Sequence, residues 1–238
     1  MFDNFFNVRS ILALIMHALL WCNAVQANNL QVGFAKLPIT PSVIDEWVDV
    51  NDDAQFDPDV DTWTDINGNG TFDPVWIAGF QKGRAAQGVK DDLMAVAVVI
   101  DDGDRRIGVV AIDTIGLMRN FVLDIRQSAS RKWGLDHLMI HATHNHEGPD
   151  TQGLWGPGLF ESGINDDYMR ELKGTILSVV ESAISNLEPA EMSIARIATD
   201  PRTPIKDKRK PIVIDEDIRA LLFRRPDQSV IGTVVNFG

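Results

Sequence analysis

Two apolar runs separated by a short acidic turn place the strongest constraint on how this chain can fold. In the segment DLMAVAVVIDDGDRRIGVVAIDTIG, β-branched residues are frequent in both runs and the tetrapeptide DDGD lies between them. This pattern predicts a β-hairpin in which Gly103 supplies the turn. The segments on either side then decide which kind of sheet the hairpin joins.

The elements predicted around this hairpin alternate between strands and helices. NLQVGFAKLPITP, HLMIHAT and EMSIARIAT have the composition of strands, and IRALLFRRPDQSVIGTVVNFG that of a second hairpin turning at PDQS. Apolar residues at helical spacing predict a helix from Asn120 to Trp133, ended by Gly134, and another from about Asn165 to Leu187. This order predicts an α/β or α+β fold, with helices flanking a mixed β-sheet. Because the chain stops within a strand, we expect the fold to be incomplete at the C-terminus.

The first 27 residues have the pattern of a secretory signal peptide. Arg9 precedes the apolar run ILALIMHALLWC, and Val25 and Ala27 are small residues suited to cleavage. The run is short for a membrane anchor, which needs about 20 residues. We therefore expect a secreted or periplasmic protein with a mature domain at residues 28–238. Cys22 is the single cysteine and would leave with the signal, so any metal must be held by nitrogen or oxygen ligands.

The charge of the chain argues against nucleic acid as a partner. There are 22 lysine and arginine residues against 34 aspartate and glutamate residues, which gives a formal net charge of -12. Phosphate binding requires clustered basic side chains. The sequence does not determine an oligomeric state.

An acidic segment, residues 47–74, contains two copies of one pattern. WVDVNDDAQFDP (residues 47–58) and WTDINGNGTFDP (residues 63–74) align without gaps at an offset of 16 residues. Each copy places side-chain oxygens at alternating positions, as a calcium-binding loop does. The predicted calcium ligands are Asp49, Asn51, Asp53 and Asp57 in the first copy, and Asp65, Asn67, Asn69 and Asp73 in the second. Neither copy is a full EF-hand, because Val60 and Trp76 stand at the last ligand position. The alternative is a solvated turn region whose side chains cap their own backbone.

The segment LMIHATHNHEGPD contains candidate ligands for a catalytic metal. If the strand continues through it, His144 and His146 point to the same face, since side chains two residues apart do so. Two imidazoles at this spacing suit zinc, which in a catalytic site takes three protein ligands and keeps one position open for water. The alternative is an H-x-H pair without a ligand role. A metallo-β-lactamase does not fit, because Glu147 and Gly148 follow the pair. Nor does an amidohydrolase barrel, which needs about 250 residues of repeated βα units.

Four stretches in order along the chain resemble motifs of the neutral/alkaline, non-lysosomal ceramidase family. They are GFAKLPITP, GFQKGRAAQGVKDDLMAVAVVID, VVAIDTIGL and HATHNHEGP. The resemblance implies that His144 and His146 are zinc ligands, and that the third histidine and the remaining ligands follow Gly238. It also implies that residues 28–238 are the N-terminal portion of a catalytic domain, in which the acidic segment is an insertion.

The resemblance further implies zinc-assisted hydrolysis of an N-acyl amide. The substrate would be a small molecule or a lipid, the latter reached by peripheral contact with a membrane. Three residues are candidates for catalysis: Glu147 and Asp150 as proton acceptors or partners of a ligand imidazole, and Arg84 as an oxyanion or headgroup ligand. Each could instead be a solvated surface residue. Two other functions stay open, a calcium-stabilised extracellular binding module without catalysis and a hydrolase of another ester or phosphoester.

Overall fold

The computed structural model describes residues 23–25, 29–42, 45–198 and 207–237. Its strands, in chain order, are β1 (Asn23–Val25), β2 (Gln31–Pro38), β3 (Glu46–Val48), β4 (Thr62–Thr64), β5 (Met94–Asp101), β6 (Arg106–Ile112), β7 (His137–Ala142), β8 (Glu188–Pro189), β9 (Glu191–Ala198), β10 (Asp217–Arg224) and β11 (Val230–Asn236). The helices of the described residues are α1 (Arg119–Trp133) and α2 (Asp166–Ser185). The chain forms two compact units: the larger is Val32–Leu187, and the smaller combines Met1–Gln31 with Glu188–Gly238.

The larger unit is built on the predicted hairpin. Strands β7, β6, β5 and β2 lie side by side in that order. β5 and β6 are antiparallel, with Asp101 opposite Arg106, and Gly103 lies in the turn between them with a φ of 91°. β6 and β7 are parallel, because α1 carries the chain back to the starting end of the sheet between them. The hairpin and the mixed sheet are therefore confirmed.

Helix α2 and the sheet enclose the core of the larger unit. The helix buries one stripe of side chains, which includes Leu172, Ile176, Val179, Val180 and Ala183. Val110 and Ile112 of β6 belong to the same buried cluster. Burying a side chain of this size stabilises a fold by about 1.5–3 kcal/mol relative to leaving it exposed. This packing holds in place the strands from which the site loops extend.

Both helices begin and end within two residues of their predicted bounds. Asn165 caps α2, because its side chain accepts hydrogen bonds from two backbone N–H groups of the first turn. α1 is followed by Gly134, whose φ of 64° lies in the left-handed region. Gly33 in β2 lies against the end of α2, where an added Cβ would be 1.9 Å from the carbonyl oxygen of Ala183. The close packing of strand on helix therefore requires glycine at this position.

Tyr168 ties α2 to the segment after β2. Its hydroxyl donates a hydrogen bond to the carbonyl oxygen of Ile39 at 3.0 Å. Burial raises the pKa of Tyr168 well above its ordinary value, and the carboxylate of Glu171 adds to the shift. The fold therefore favours the neutral hydroxyl.

The smaller unit contains an antiparallel sheet with the strand order β1, β9, β10 and β11. β10 and β11 form the predicted second hairpin, and Gln228 adopts a φ of 70° in its turn. Arg225, directly after β10, forms an ion pair with Glu188 at 2.7 Å. β9 falls within the predicted strand EMSIARIAT. The strand predictions for this part of the chain are therefore confirmed.

Most of the predicted signal peptide lies outside the described residues. Of residues 1–27, the structure describes Asn23–Val25, which form β1 and pair with residues 192–194 of β9. The signal peptide, and with it a secreted or periplasmic location, stays a prediction. Neither helix of the described residues is long and apolar enough to cross a membrane.

Candidate active site

The histidine segment lies in a loop, not in a strand. β7 ends at Ala142, and the backbone N–H of His144 donates to the carbonyl oxygen of Thr114 at 3.0 Å. His144 has a φ of 61°, in the left-handed region that few non-glycine residues adopt. The prediction that His144 and His146 share one face of a strand is therefore wrong. The physical reason is that the chain turns at His144, just beyond the last residue of β7 that pairs with β6.

The turn nevertheless brings the two imidazole rings together. Their centroids are 5.1 Å apart and their planes are inclined at 71°. Two imidazoles that bind one tetrahedral zinc ion have ring centroids about 5 Å apart, so this spacing suits a shared metal. Nδ1 of His144 lies 2.6 Å from the carbonyl oxygen of Ile115, which can only accept a hydrogen bond. Nδ1 therefore carries the proton, and Nε2 of the neutral ring keeps its lone pair for a metal.

The pair supplies two ligands of the predicted zinc site. Within the described ranges, no group of three or more His, Cys, Asp or Glu side chains is arranged to hold a metal ion. A catalytic zinc takes three protein ligands. Among the described residues, the pair therefore accounts for two ligands of such a site. The nitrogen donors fit the metal, and zinc binding stays a prediction.

His146 is enclosed by a glycine and an aromatic ring. Gly79 has a φ of 94°, and an added Cβ there would lie 2.4 Å from Cγ of His146. The next residue, Phe80, has a φ of 54°, and its ring meets the His146 ring edge-on with centroids 4.9 Å apart. Position 79 requires glycine both for its backbone angle and for the approach of the imidazole.

Arg84 binds the backbone of the two segments that meet here. Nη1 donates to the carbonyl oxygens of His146 at 3.2 Å and of Gly79 at 3.4 Å. Nη2 pairs with Oε2 of Glu147 at 3.0 Å. The side chain of Arg84 is 13% exposed and that of Glu147 is 69% exposed. The alternative of a solvated surface arginine is therefore wrong: the guanidinium holds the His146 backbone in place. A catalytic role for Arg84 or Glu147 stays a prediction.

Asp150 anchors the loop that follows the histidines. The residue is 1% exposed, and its carboxylate accepts backbone hydrogen bonds at 2.8 to 3.1 Å. The donors are the N–H groups of Gln152, Gly153, Trp155 and Gly163. The alternative of a solvated loop carboxylate is wrong for Asp150, because these donors take the place of water. Its predicted role as a proton acceptor stays a prediction.

A cavity of about 600 Å³ borders the histidine loop, although neither His144 nor His146 lines it. Residues of the loop, among them Asn145 and Glu147, form one part of its wall, and apolar side chains such as Val75, Ile77 and Leu93 form another. Ligand pockets are commonly about 300–1,000 Å³ and mostly apolar with a few polar groups. The cavity therefore has the size and lining of a small-molecule site that borders the histidine loop.

The two copies of the acidic repeat fold as a symmetrical pair. β3 and β4 are antiparallel, and Trp47 lies opposite Trp63, the first residue of each copy. Phe56 and Phe72, which are equivalent in the repeat, have ring centroids 4.0 Å apart. A small aromatic core therefore joins the copies, an arrangement that the sequence interpretation does not predict.

A buried aspartate before each copy closes the loop of the opposite copy. Asp45 and Asp61 each precede the first tryptophan of a copy by two residues and are 0% and 7% exposed. The carboxylate of Asp61 accepts two backbone hydrogen bonds from the first copy, and that of Asp45 accepts two from the second. The donors and distances are Val50 at 2.9 Å and Asp57 at 2.7 Å for Asp61, and Ile66 at 3.0 Å and Asp73 at 2.7 Å for Asp45.

The predicted calcium ligands lie in the loops of this pair, where each is exposed or half-buried. Asp49 and Asp65, at the first ligand position, accept hydrogen bonds from backbone N–H groups four and five residues later. The side-chain amides of Asn67 and Asn69 donate to Asp73. Such contacts are those of side chains that cap their own backbone. Calcium binding stays a prediction.

The sequence interpretation missed several residues that shape these sites. Asp45 would have been found by extending the repeat towards the N-terminus, because the pattern D-x-W starts at Asp45 for the first copy and at Asp61 for the second. Phe80 and Gly79 stand in a quoted motif, GFQKGRAAQG, yet no local pattern indicates that their segment meets His146. That contact depends on tertiary packing.

Comparison with solved structures identifies the fold as one found in neutral ceramidases. The neutral ceramidase from Pseudomonas aeruginosa aligns with a TM-score of 0.61 at 16% identity, covering 87% of this chain and 31% of that one. A ceramidase complexed with C2 aligns with a TM-score of 0.59 at 17% identity, covering 87% of this chain and 30% of that one. The chain therefore spans less than a third of the length of these proteins. At these identities the likeness shows the fold, and it confirms the resemblance that the motifs indicate. Neither a family model nor a curated protein sequence matches this chain.

Proposed function

We propose that this chain is part of an exported, zinc-dependent hydrolase of N-acyl amides. The observation that carries the proposal is the histidine pair, whose rings are 5.1 Å apart in a fold found in neutral ceramidases. The contact between Nδ1 of His144 and the carbonyl oxygen of Ile115 supports it, because metal-binding histidines commonly donate their second nitrogen to such a partner.

The residues around the pair would orient its ligands. Ile115 fixes the tautomer and the rotation of the His144 ring through one hydrogen bond. Arg84 holds the carbonyl oxygen of His146, and Gly79 leaves room for the imidazole. A zinc ion bound there supplies Lewis acidity towards the amide carbonyl and towards a water molecule. The neighbouring cavity would receive part of an apolar substrate.

Calcium in the acidic repeat is a separate part of the proposal. Its side chains offer the carboxylate and amide oxygens that calcium prefers, and a cation would hold two loops with little apolar surface of their own. The same repeat is the feature that favours the alternative of a calcium-stabilised binding module. Calorimetric titration with calcium tests this part. No heat of binding at millimolar calcium would exclude it.

The zinc proposal is tested by metal content and by activity. We expect the protein purified from its complete reading frame to contain one zinc per chain by elemental analysis, and to lose it in the double variant His144→Ala/His146→Ala. The matched control is His137→Ala/His141→Ala, because both residues lie on β7 with exposed side chains; it should keep its zinc.

Activity separates the proposed reaction from the alternatives. We expect zinc-dependent hydrolysis of at least one N-acyl amide in a panel that also contains carboxylic esters and phosphoesters. Turnover of esters or phosphoesters alone would assign a different hydrolase to the same site. Zinc-loaded protein that hydrolyses nothing in the panel would contradict the enzyme proposal and favour a binding module.

A further inference from the structure

Phe80 presents a large apolar ring to solvent beside the histidine pair. The residue is 71% exposed, yet part of its ring is fixed by the edge-on contact with His146. The guanidinium carbon of Arg84 lies 5.4 Å from the ring centroid, and Arg84 is itself held by the carbonyl oxygens of Gly79 and His146. The ring is thus held in position while most of its surface stays free.

The backbone of Phe80 is also unfavourable. Its φ of 54° lies in the left-handed region, which is uncommon for a bulky side chain. Residues in such conformations persist where surrounding contacts impose them, and they cluster at ligand-binding positions. Because the ring is mostly exposed, its burial contributes little free energy that could offset the unfavourable backbone conformation. Two unfavourable features therefore coincide at one residue, and that residue lies against a candidate metal ligand.

Building on the proposed function, we propose that Phe80 contacts the acyl chain of the substrate and selects long-chain over short-chain N-acyl amides. A molecule whose scissile bond lies at His146 has its adjoining atoms within reach of the Phe80 ring, because the two rings touch. An acyl chain laid on the ring would remove apolar surface of both from water. An aromatic contact of this kind changes affinity on the order of tenfold.

The test compares Phe80→Ala and Phe80→Leu with the wild type on two substrate series. One series varies the acyl chain from acetyl to palmitoyl with a fixed amine, and the other varies the amine with a fixed acetyl group. We expect Phe80→Ala to lower kcat/KM about tenfold for the palmitoyl substrate and to leave the acetyl substrate nearly unchanged. Phe80→Leu should restore part of the difference. The matched control is Phe160→Ala, which removes a ring that is 96% exposed.

Zinc content and direct binding separate this inference from the proposed function. Phe80→Ala should keep wild-type zinc, and a loss of zinc or an equal loss of activity on all acyl chains would overturn the inference in favour of a positioning role. Dependence on the amine series alone would also overturn it. If the wild type hydrolyses no amide, equilibrium binding of a fluorescent palmitoyl amide decides: weaker binding by Phe80→Ala alone supports the inference, and equal or undetectable binding contradicts it.

Discussion

Each buried aspartate precedes one acidic copy but accepts hydrogen bonds from the other copy. Substituting either aspartate should therefore loosen the copy to which it is hydrogen-bonded, not the copy that it precedes. Asp45 lies before the first copy but accepts hydrogen bonds from Ile66 and Asp73 of the second. We therefore expect Asp45→Asn to loosen the second copy, and Asp61→Asn to loosen the first.

The magnitude follows from the two oxygens of each carboxylate. Oδ1 of Asp45 accepts from Ile66 and Oδ2 from Asp73, and an asparagine keeps one acceptor but turns an NH₂ group towards the other donor. A hydrogen bond to a charged group contributes about 1.5–3 kcal/mol, against about 1 kcal/mol for a neutral one. Losing one bond and weakening the other gives a cost of about 2–5 kcal/mol, which corresponds to roughly 30- to 4,000-fold faster local opening.

Amide hydrogen exchange with a chelator present measures this opening residue by residue. In Asp45→Asn the amides of Ile66 and Asp73 should exchange faster while those of Val50 and Asp57 change little, and Asp61→Asn should show the opposite. Asp59→Asn is the control, because Asp59 is exposed in the same segment. Faster exchange confined to the first copy in Asp45→Asn, or to the second copy in Asp61→Asn, would refute this assignment of the two aspartates.

Three further predictions concern the larger unit. Arg84→Met should weaken zinc binding about 10- to 100-fold in a competition titration, because it removes the hydrogen bonds to the backbone of His146 and Gly79. Unchanged zinc affinity would show that these hydrogen bonds are not needed to position His146. Thr114→Val should be neutral or stabilise the protein by about 1 kcal/mol in urea unfolding, because the buried Thr114 hydroxyl has no hydrogen-bond partner among the described residues; a clear loss of stability would reveal a partner. The raised pKa of Tyr168 means that its neutral form stabilises the fold below about pH 10, the ordinary tyrosine value, and that this contribution is lost as the pH rises above it. Tyr168→Phe should therefore be less stable than the wild type at neutral pH and lose less stability between pH 10 and 11; an unchanged pH dependence would contradict the assignment.

The fold was predictable where local pattern and tertiary environment agree. The run around Gly103 specifies a hairpin by itself, and α2 could be placed because its buried residues recur at helical spacing. β3 and β4 could not be placed in this way. Each has three residues, too few for a periodic signal, and their pairing depends on aromatic contacts between copies.

The closeness of the two histidine rings was predictable from the sequence, the backbone that produces it was not, and their role as metal ligands stays a prediction. The H-x-H spacing identified His144 and His146, and the strand rule then assigned the wrong reason for their proximity. Alternation along a strand holds only while pairing with the neighbouring strand continues, and that pairing ends at Ala142. Beyond it the direction of each side chain depends on backbone angles that the sequence does not reveal.

The imidazole of His146 lies between two residues whose backbone is in the left-handed region. His144 and Phe80 both have positive φ values, and both rings lie against His146. Such conformations cost about 1–3 kcal/mol each and need contacts that impose them. Here the carbonyl oxygen of Ile115 holds the first ring and Arg84 holds the backbone next to the second. The loop therefore keeps its two imidazoles close together through contacts with two other segments, the connection between β6 and α1 and residues 79–84. If the proposed zinc binds to this pair, substitutions in those two segments should weaken its binding as strongly as substitutions beside the histidines.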